Sequence, residues 1–142
     1  MRVNNDSPAG DAPAKPKVVI ADDDALVCAM LESRLEGDFD CVGRGADAMD
    51  AVALVEAHRP DVAILDVMMP AGGALFATQA IAERCPETAI VILSCDQKRS
   101  MAFKLMDAGA ESYLCKDVDP LALPIKLRAA MASKARQLAA SA

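Results

Sequence analysis

The sequence predicts an α/β fold: five parallel strands in one doubly wound sheet, in the order 2-1-3-4-5, with a helix after each strand. Three observations predict it. Short apolar runs alternate five times with segments of helical periodicity, the mark of repeated βα units. The runs Val18 to Ile20, Val62 to Leu65 and Ala89 to Leu93 are continuously apolar, as strands covered on both faces must be. Strands one, three, four and five lead into polar side chains, at the edge where open α/β sheets place their ligand sites.

Each element has its own local reason. Lys17 to Ala21 is the first strand, β-branched at Val18, Val19 and Ile20. Asp24 suits the N-cap of a helix from Ala25 to about Glu36, with Val27, Leu31 and Leu35 on one face and Gly37 as its stop. Phe39 to Val42 reads as a short second strand. Asp47 caps the next helix, with Asp50 three residues on as a weak capping box. That helix carries Val52, Leu54 and Val55 and ends near His58, before Pro60. Strand three runs into Asp66, and Pro70 keeps Ala71-Gly72-Gly73 as a loop. Helix three spans about Ala74 to Cys85, closed by Pro86. Strand four, Ala89 to Leu93, leads into Ser94-Cys95-Asp96. Helix four runs from about Gln97 to Ala108, with Gly109 at its C′ position. Strand five is Ser112 to Cys115, followed by Lys116. Asp119 and Pro120 suit the N-cap and first position of the last helix. Pro124, one turn in, either kinks that helix or marks its start. Five strands with right-handed crossovers fit the flavodoxin-like order.

Composition bounds the function. A length of 142 residues suits one domain. We read that domain as residues 17–142, behind a flexible leader over residues 1–16 rich in Asn, Asp, Ser, Gly and Pro. The chain is 54% apolar with 3% aromatics, so its core must be aliphatic. A formal charge of −6 argues against nucleic acid as a direct partner. No apolar run approaches the roughly 20 residues of a membrane span, and no signal-peptide core opens the chain, so a cytoplasmic location is expected. Cys28, Cys41, Cys85, Cys95 and Cys115 are odd in number and form no C-x-x-C pair; they read as small buried core residues. Lys126, Arg128, Lys134 and Arg136 follow Pro120 with no acidic residue among them. They form either a solvated helix face or a docking surface.

The strand ends converge. In the order 2-1-3-4-5, strands 1, 3, 4 and 5 are neighbours, so Asp22, Asp23, Asp66, Ser94 and Lys116 emerge along one edge of the sheet. Three carboxylates brought together repel unless a cation sits among them. Oxygen ligands in a small site suit Mg²⁺, which keeps waters and leaves room for a phosphate oxygen. The Ser94 hydroxyl and the Lys116 ammonium suit a phosphoryl group. A carboxylate can attack phosphorus to form an acyl phosphate, and Asp66 is the central candidate. His58, at a helix end, fits a helix-dipole role, so a phosphodonor histidine must come from another protein.

This constellation resembles the receiver domain of two-component response regulators, over roughly Lys17 to Ala140. Asp22 and Asp23 match the family's acidic pair. Asp66, in the setting DVMMP, matches its phosphoacceptor, Ser94 its hydroxyl residue, and Lys116, in ESYLCK, its lysine. Tyr113 stands at its switch aromatic. The resemblance implies catalytic roles for Asp66, Ser94 and Lys116. It also implies Mg²⁺ held by Asp22, Asp23, Asp66 and the backbone carbonyl of Met68. The implied donor is a sensor histidine kinase or a histidine phosphotransfer protein. Ser94 and Tyr113 would then move, changing a binding face of helix four, strand five and helix five for an unnamed downstream protein or a homodimer. Such a chain is a switch, not an enzyme.

The match has departures. Gly73, Ala74 and Phe76 stand where the family usually has Asp-Gly or Ser-Gly and then an acidic residue, which makes Phe76 a candidate contact residue. Asp117 follows the lysine where proline is common, as in receivers that precede helix-turn-helix output domains. The chain ends at Ala142 without one, and reads as a stand-alone receiver or a piece of a longer regulator. Two other readings compete. Asp22-Asp23-Asp24 also fits the D-x-D pattern of haloacid-dehalogenase-like phosphatases, with Asp22 as nucleophile, but Leu26 stands where Thr or Val is expected. A receiver-like binding module without phosphorylation is the third reading, and the intact quintet argues against it.

Overall fold

Five strands and five helices alternate along the chain in a computed structural model that describes residues 14–95 and 99–141. They are β1 (Lys17–Ala21), α1 (Ala25–Leu35), β2 (Asp40–Gly45), α2 (Ala48–His58), β3 (Val62–Asp66), α3 (Gly73–Arg84), β4 (Ala89–Ser94), α4 (Arg99–Ala108), β5 (Ser112–Cys115) and α5 (Leu123–Ser141). All strand pairs are parallel, and the order is β2-β1-β3-β4-β5, as the alternation predicts. The expected leader lies outside the described residues up to residue 13, and so do residues 96–98 and Ala142.

Strand pleating sorts the core into two layers. Val19, Ala21, Ala63, Leu65, Ile90 and Ile92 face one side, where α2, α3 and α4 contribute Val55, Ile81 and Leu105. Val18, Ile20, Val62, Ile64, Val91 and Leu93 face the other, where α1 and α5 contribute Leu31, Leu35, Leu123 and Leu127. β1, β3 and β4 lie inside the sheet and are covered on both faces, which is why their sequences show no polar alternation. Each fully buried Ile or Leu contributes about 1.5–3 kcal/mol.

The amino ends of the strands are knitted by Asp61. Its carboxylate accepts from the Lys17 amide at 2.8 Å, its amide donates to the Lys17 carbonyl at 2.9 Å, and its carbonyl accepts from Ala89 at 3.0 Å. The opposite end of the sheet is thereby left for chemistry.

Several boundaries differ from expectation. β2 runs Asp40–Gly45 rather than Phe39 to Val42, and its register with β1 slips between Val18 and Val19. Gly43-Arg44-Gly45 carries no strand propensity; the strand exists because glycine lets it approach α2. A Cβ on Gly45 would lie 2.8 Å from Asp50 Cβ. Asp47 caps α2 as expected, accepting from the Asp50 amide at 2.8 Å. Asp50 instead reaches back to the Ala46 amide, one residue short of a true capping box. α5 begins at Leu123, beside Pro124, the later of the two starts the sequence allows, and not at Pro120: Asp119 closes a preceding turn by accepting from Leu121 through its side chain. Pro124 therefore sits in the first helical turn, where its missing donor costs nothing. Cys28 and Cys85 are buried as expected, but Cys41 and Cys115 are half-buried and Cys95 is exposed.

Candidate functional site

The carboxyl ends of β1, β3, β4 and β5 carry the site. Asp22 follows β1 directly. Its amide donates to the Gly45 carbonyl at 3.0 Å, and its Oδ1 accepts from the Asp24 amide at 2.9 Å. These bonds turn the other carboxylate oxygen inward, and Asp22 is buried. Asp23 is exposed beside it. Asp24 caps α1, accepting from Leu26 at 3.0 Å. Asp66 ends β3 and is buried, paired in register with Leu93 of β4. Ser94 ends β4 and is buried as well. Lys116 follows β5, and its amide donates to the Ser94 carbonyl at 2.9 Å.

Lys116 then spans the pocket. Its Nζ lies 2.8 Å from Asp22 Oδ2 and 2.9 Å from Asp66 Oδ1. Carboxylate oxygens of Asp22, Asp23 and Asp66 all lie within 4.8 Å of one another. Burial raises the Asp66 carboxyl above its ordinary value; the Lys116 hydrogen bond pulls it down, and the charges of Asp22 and Asp23 push it up again. One ammonium therefore does not offset burial and two neighbouring carboxylates. For Lys116, burial favours the neutral amine, but the bonds to Asp22 and Asp66 outweigh it and its pKa is raised. The ammonium stays charged at any physiological pH.

The donor set suits a hard divalent cation. Three carboxylates supply oxygen only, one of them is exposed for entry, and their mutual repulsion is a cost that a cation removes. The structure ion-pairs Lys116 with Asp22 and Asp66, sets Asp23 beside them, and places Ser94 at the adjoining strand end. Tyr113 is half-buried on β5, opposite Ile92, and packs against the core layer beneath α4. The Met68 side chain is 74% exposed, while Met69 is buried. Phe76 is partly exposed on α3. Two of the four basic residues of the last helix are engaged: Arg128 covers the Phe39 ring at 5.3 Å, and Lys134 pairs with Glu111 at 3.4 Å.

Two supports went unpredicted. Gly45 fixes Asp22 through its carbonyl, and the Cys28 thiol contacts the Asp22 carbonyl at 3.5 Å. Both act through backbone, so no side-chain pattern in the sequence signals them.

Fold and site define a class: single-sheet α/β proteins with an acidic, lysine-bridged pocket at the carboxyl edge of the strands. The chain matches the response regulator receiver domain over residues 18–128 and belongs to that family. It is 40% identical over 104 residues to the oxygen regulatory protein NreC of Staphylococcus epidermidis, covering 71% of this chain and 48% of that protein. It is 37% identical over 107 residues to the transcriptional regulatory protein PdtaR of Mycobacterium tuberculosis, covering 75% and 52%. The chain thus spans about half the length of the curated relatives it matches. Among solved structures, a LuxR-family two-component response regulator from Aurantimonas superposes with a TM-score of 0.79 at 27% identity, over 84% of this chain and 87% of that one. A CheY-like receiver domain protein from Methanospirillum hungatei shares the fold, with a TM-score of 0.80 at 18% identity over 87% and 99%. The family is one of phosphorylation-dependent signalling switches, and the phosphatase and silent-module readings are not favoured. Among the described residues no helix is long and apolar enough to cross a membrane.

Proposed function

We propose that Asp66 is the phosphoacceptor of a signalling switch working in the cytoplasm. A sensor histidine kinase or histidine phosphotransfer protein supplies the phosphoryl group. An Asp66 carboxylate oxygen attacks phosphorus, the P–N bond to the donor histidine breaks, and the imidazole leaves with the electron pair. Asp22, Asp23, Asp66 and the Met68 carbonyl would hold Mg²⁺, which when bound neutralises charge on the phosphoryl oxygens. Lys116 turns from Asp22 to a phosphoryl oxygen, and the Ser94 hydroxyl donates to another. Tyr113 follows Ser94, and the face of α4, β5 and α5 changes its affinity for a downstream protein or a second copy of the chain. The exposed Phe103 and Met106 on α4 give that face apolar contact area. The net charge of −6 supports a protein partner over nucleic acid.

The observation that carries this reading is the bridge of Lys116 between buried Asp22 and Asp66, with Asp23 beside them. Acetyl phosphate or beryllofluoride with Mg²⁺ tests it. The wild-type chain should form an adduct at Asp66 and Asp66→Asn should form none. An adduct on Asp22, or no adduct, overturns it.

A further inference from the structure

We propose that the outer face of α5 pairs with the same face of a second copy of the chain, the two helices running in opposite directions about a two-fold axis near residue 127. The contact leaves α4 and β5 uncovered and does not depend on phosphorylation of Asp66.

The helix has an inner and an outer side. Leu123, Leu127 and Ala130 are buried against the sheet. Ile125, Ala129, Ala132 and Arg136 follow one another at helical spacing on the opposite side, and all four are exposed. The turn before the helix extends that side. The Leu123 amide donates to the Asp119 carbonyl at 3.2 Å, so the chain already winds helically from Asp119. Leu121, in that turn, is 82% exposed, and Ile125 is 69% exposed.

Charge is divided along this stripe. Asp117 and Asp119 stand exposed at its head, and no acidic residue follows Pro120. Arg128 is taken up by the Asp38 carbonyl and the Phe39 ring, and Lys134 by Glu111. Arg136 stands on the stripe itself, exposed, and makes no ion pair among the described residues.

The stripe complements a reversed copy of itself. In a two-fold contact, if one residue meets another, the second also meets the first across the axis. A parallel pair would set Arg136 against Arg136 and Ile125 against Ile125. A reversed pair centred near residue 127 sets Ile125 over Ala129 of the second copy, Leu121 over Ala132, and Asp119 beside Arg136, each contact made twice. The three pairs share that centre to within about one residue, or about 1.5 Å along the axis. Large side chains thereby face alanines, which lets the helices approach at the short end of the roughly 8–10 Å range of helix packing. Each end of the contact carries an opposite-charge pair, which fixes its direction. From Asp119 to Arg136 it runs about 26 Å. One helix pair is a small interface, so the dimer is weak and forms only at high protein concentration.

The test is sedimentation equilibrium of the full, reduced, unphosphorylated chain from about 10 μM to about 1 mM, a range that resolves weak association. The expected result is a monomer–dimer equilibrium that weakens as salt rises. Ile125→Asp should weaken it by about tenfold or more. Arg136→Asp should weaken it, and so should Asp117→Lys, which spares the turn that Asp119 closes. An equal mixture of those two variants should associate more tightly than either alone, because opposite charges then meet again. Phe103→Asp, on α4, should associate like wild type. All four positions are exposed, so urea midpoints close to wild type should show that each variant is folded. A chain that stays monomeric across the range overturns the proposal. So does a dimer that Phe103→Asp breaks and Ile125→Asp spares, or a dimer that Arg136→Asp leaves unchanged.

Discussion

The Lys116 ammonium stands 2.9 Å from Asp66 Oδ1 while it also holds Asp22 at 2.8 Å. It is the cation that makes two buried carboxylates tolerable in one pocket. Lys116→Met keeps the stem and removes the charge. It should destabilise the chain by about 1–3 kcal/mol, since a paired charge is lost beside two buried acids. Mg²⁺ should recover more stability in this variant than in wild type, because no ammonium competes for Asp22. Urea unfolding with and without Mg²⁺ decides; equal Mg²⁺ effects in the two proteins count against the argument.

Asp66 gives the pH dependence. Its carboxyl is raised by burial and by Asp22 and Asp23, despite Lys116. A raised acid holds its proton more tightly folded than unfolded. Stability therefore falls as pH rises from the ordinary carboxylate value through the folded one, and the ionised form is a burden at neutral pH. Asp66→Asn, neutral throughout, should unfold at higher urea than wild type at pH ~7, and the gap should narrow toward pH ~4. A wild-type chain at least as stable as the variant at neutral pH would refute this.

Asp23 separates metal binding from folding. It is exposed and makes no part of the Lys116 bridge. Asp23→Asn should change stability without metal by no more than about 0.5 kcal/mol. It should weaken the stabilisation that saturating Mg²⁺ gives wild type, which is about 2.7 kcal/mol at a hundredfold excess over Kd. Thermal melts across a Mg²⁺ titration measure both. An unchanged Mg²⁺ response would remove Asp23 from the ligand set.

A second handle lies away from the site. Phe39, buried just before β2, carries the Arg128 guanidinium 5.3 Å above its ring. Phe39→Ala should cost about 3–5 kcal/mol, and Arg128→Ala about 0.5–1 kcal/mol. In a Phe39→Leu background, which keeps apolar volume but no ring, the Arg128 effect should shrink. A double-mutant cycle by urea unfolding reads the coupling, and full additivity would assign Arg128 to its 3.4 Å bond with the Asp38 carbonyl instead.

Much of this was legible because burial leaves a mark on composition. β1, β3 and β4 are covered on both faces, so Val18 to Ile20 and Ala89 to Leu93 could be read as strands from apolarity alone. Asp22, Asp66 and Lys116 were legible because they stand at the carboxyl ends of the strands, where open α/β sheets place their ligand sites. β2 was legible as a strand but read too short, because its continuation through Gly43 to Gly45 is held by α2 packing, which no local pattern records. The start of α5 stayed open between Pro120 and Pro124 for a related reason: Asp119-Pro120 is as good a turn as it is a helix cap, and the contact of Leu123 with the core decides between them. Cys95 was read as core because cysteine usually is. Its exposure follows from its place just past the strand, which composition does not reveal.

The loop from β3 to α3 makes the last prediction. Ala71, Gly72 and Gly73 hold φ of 62, 107 and 70, three residues in succession in the left-handed region. The turn lets the Ala74 amide reach the Val67 carbonyl at 3.3 Å and the Pro70 carbonyl accept from Ala48 at 3.1 Å, which anchors the stretch after Asp66. Alanine tolerates that backbone at a cost of about 1–2 kcal/mol. Ala71→Gly removes the strain but adds about 0.5–1 kcal/mol of unfolded-chain entropy. The balance should leave the variant neutral or more stable by up to about 1 kcal/mol. Gly72→Ala has no such balance, because its new Cβ would meet Phe76 Cβ at 2.8 Å in a backbone that alanine rarely adopts. It should lose more than 1 kcal/mol, on the order of the strain seen at such sites. Urea midpoints for the two variants, opposite in sign or at least well separated, are the outcome expected; an equally destabilised Ala71→Gly would show that the left-handed run carries no strain at residue 71.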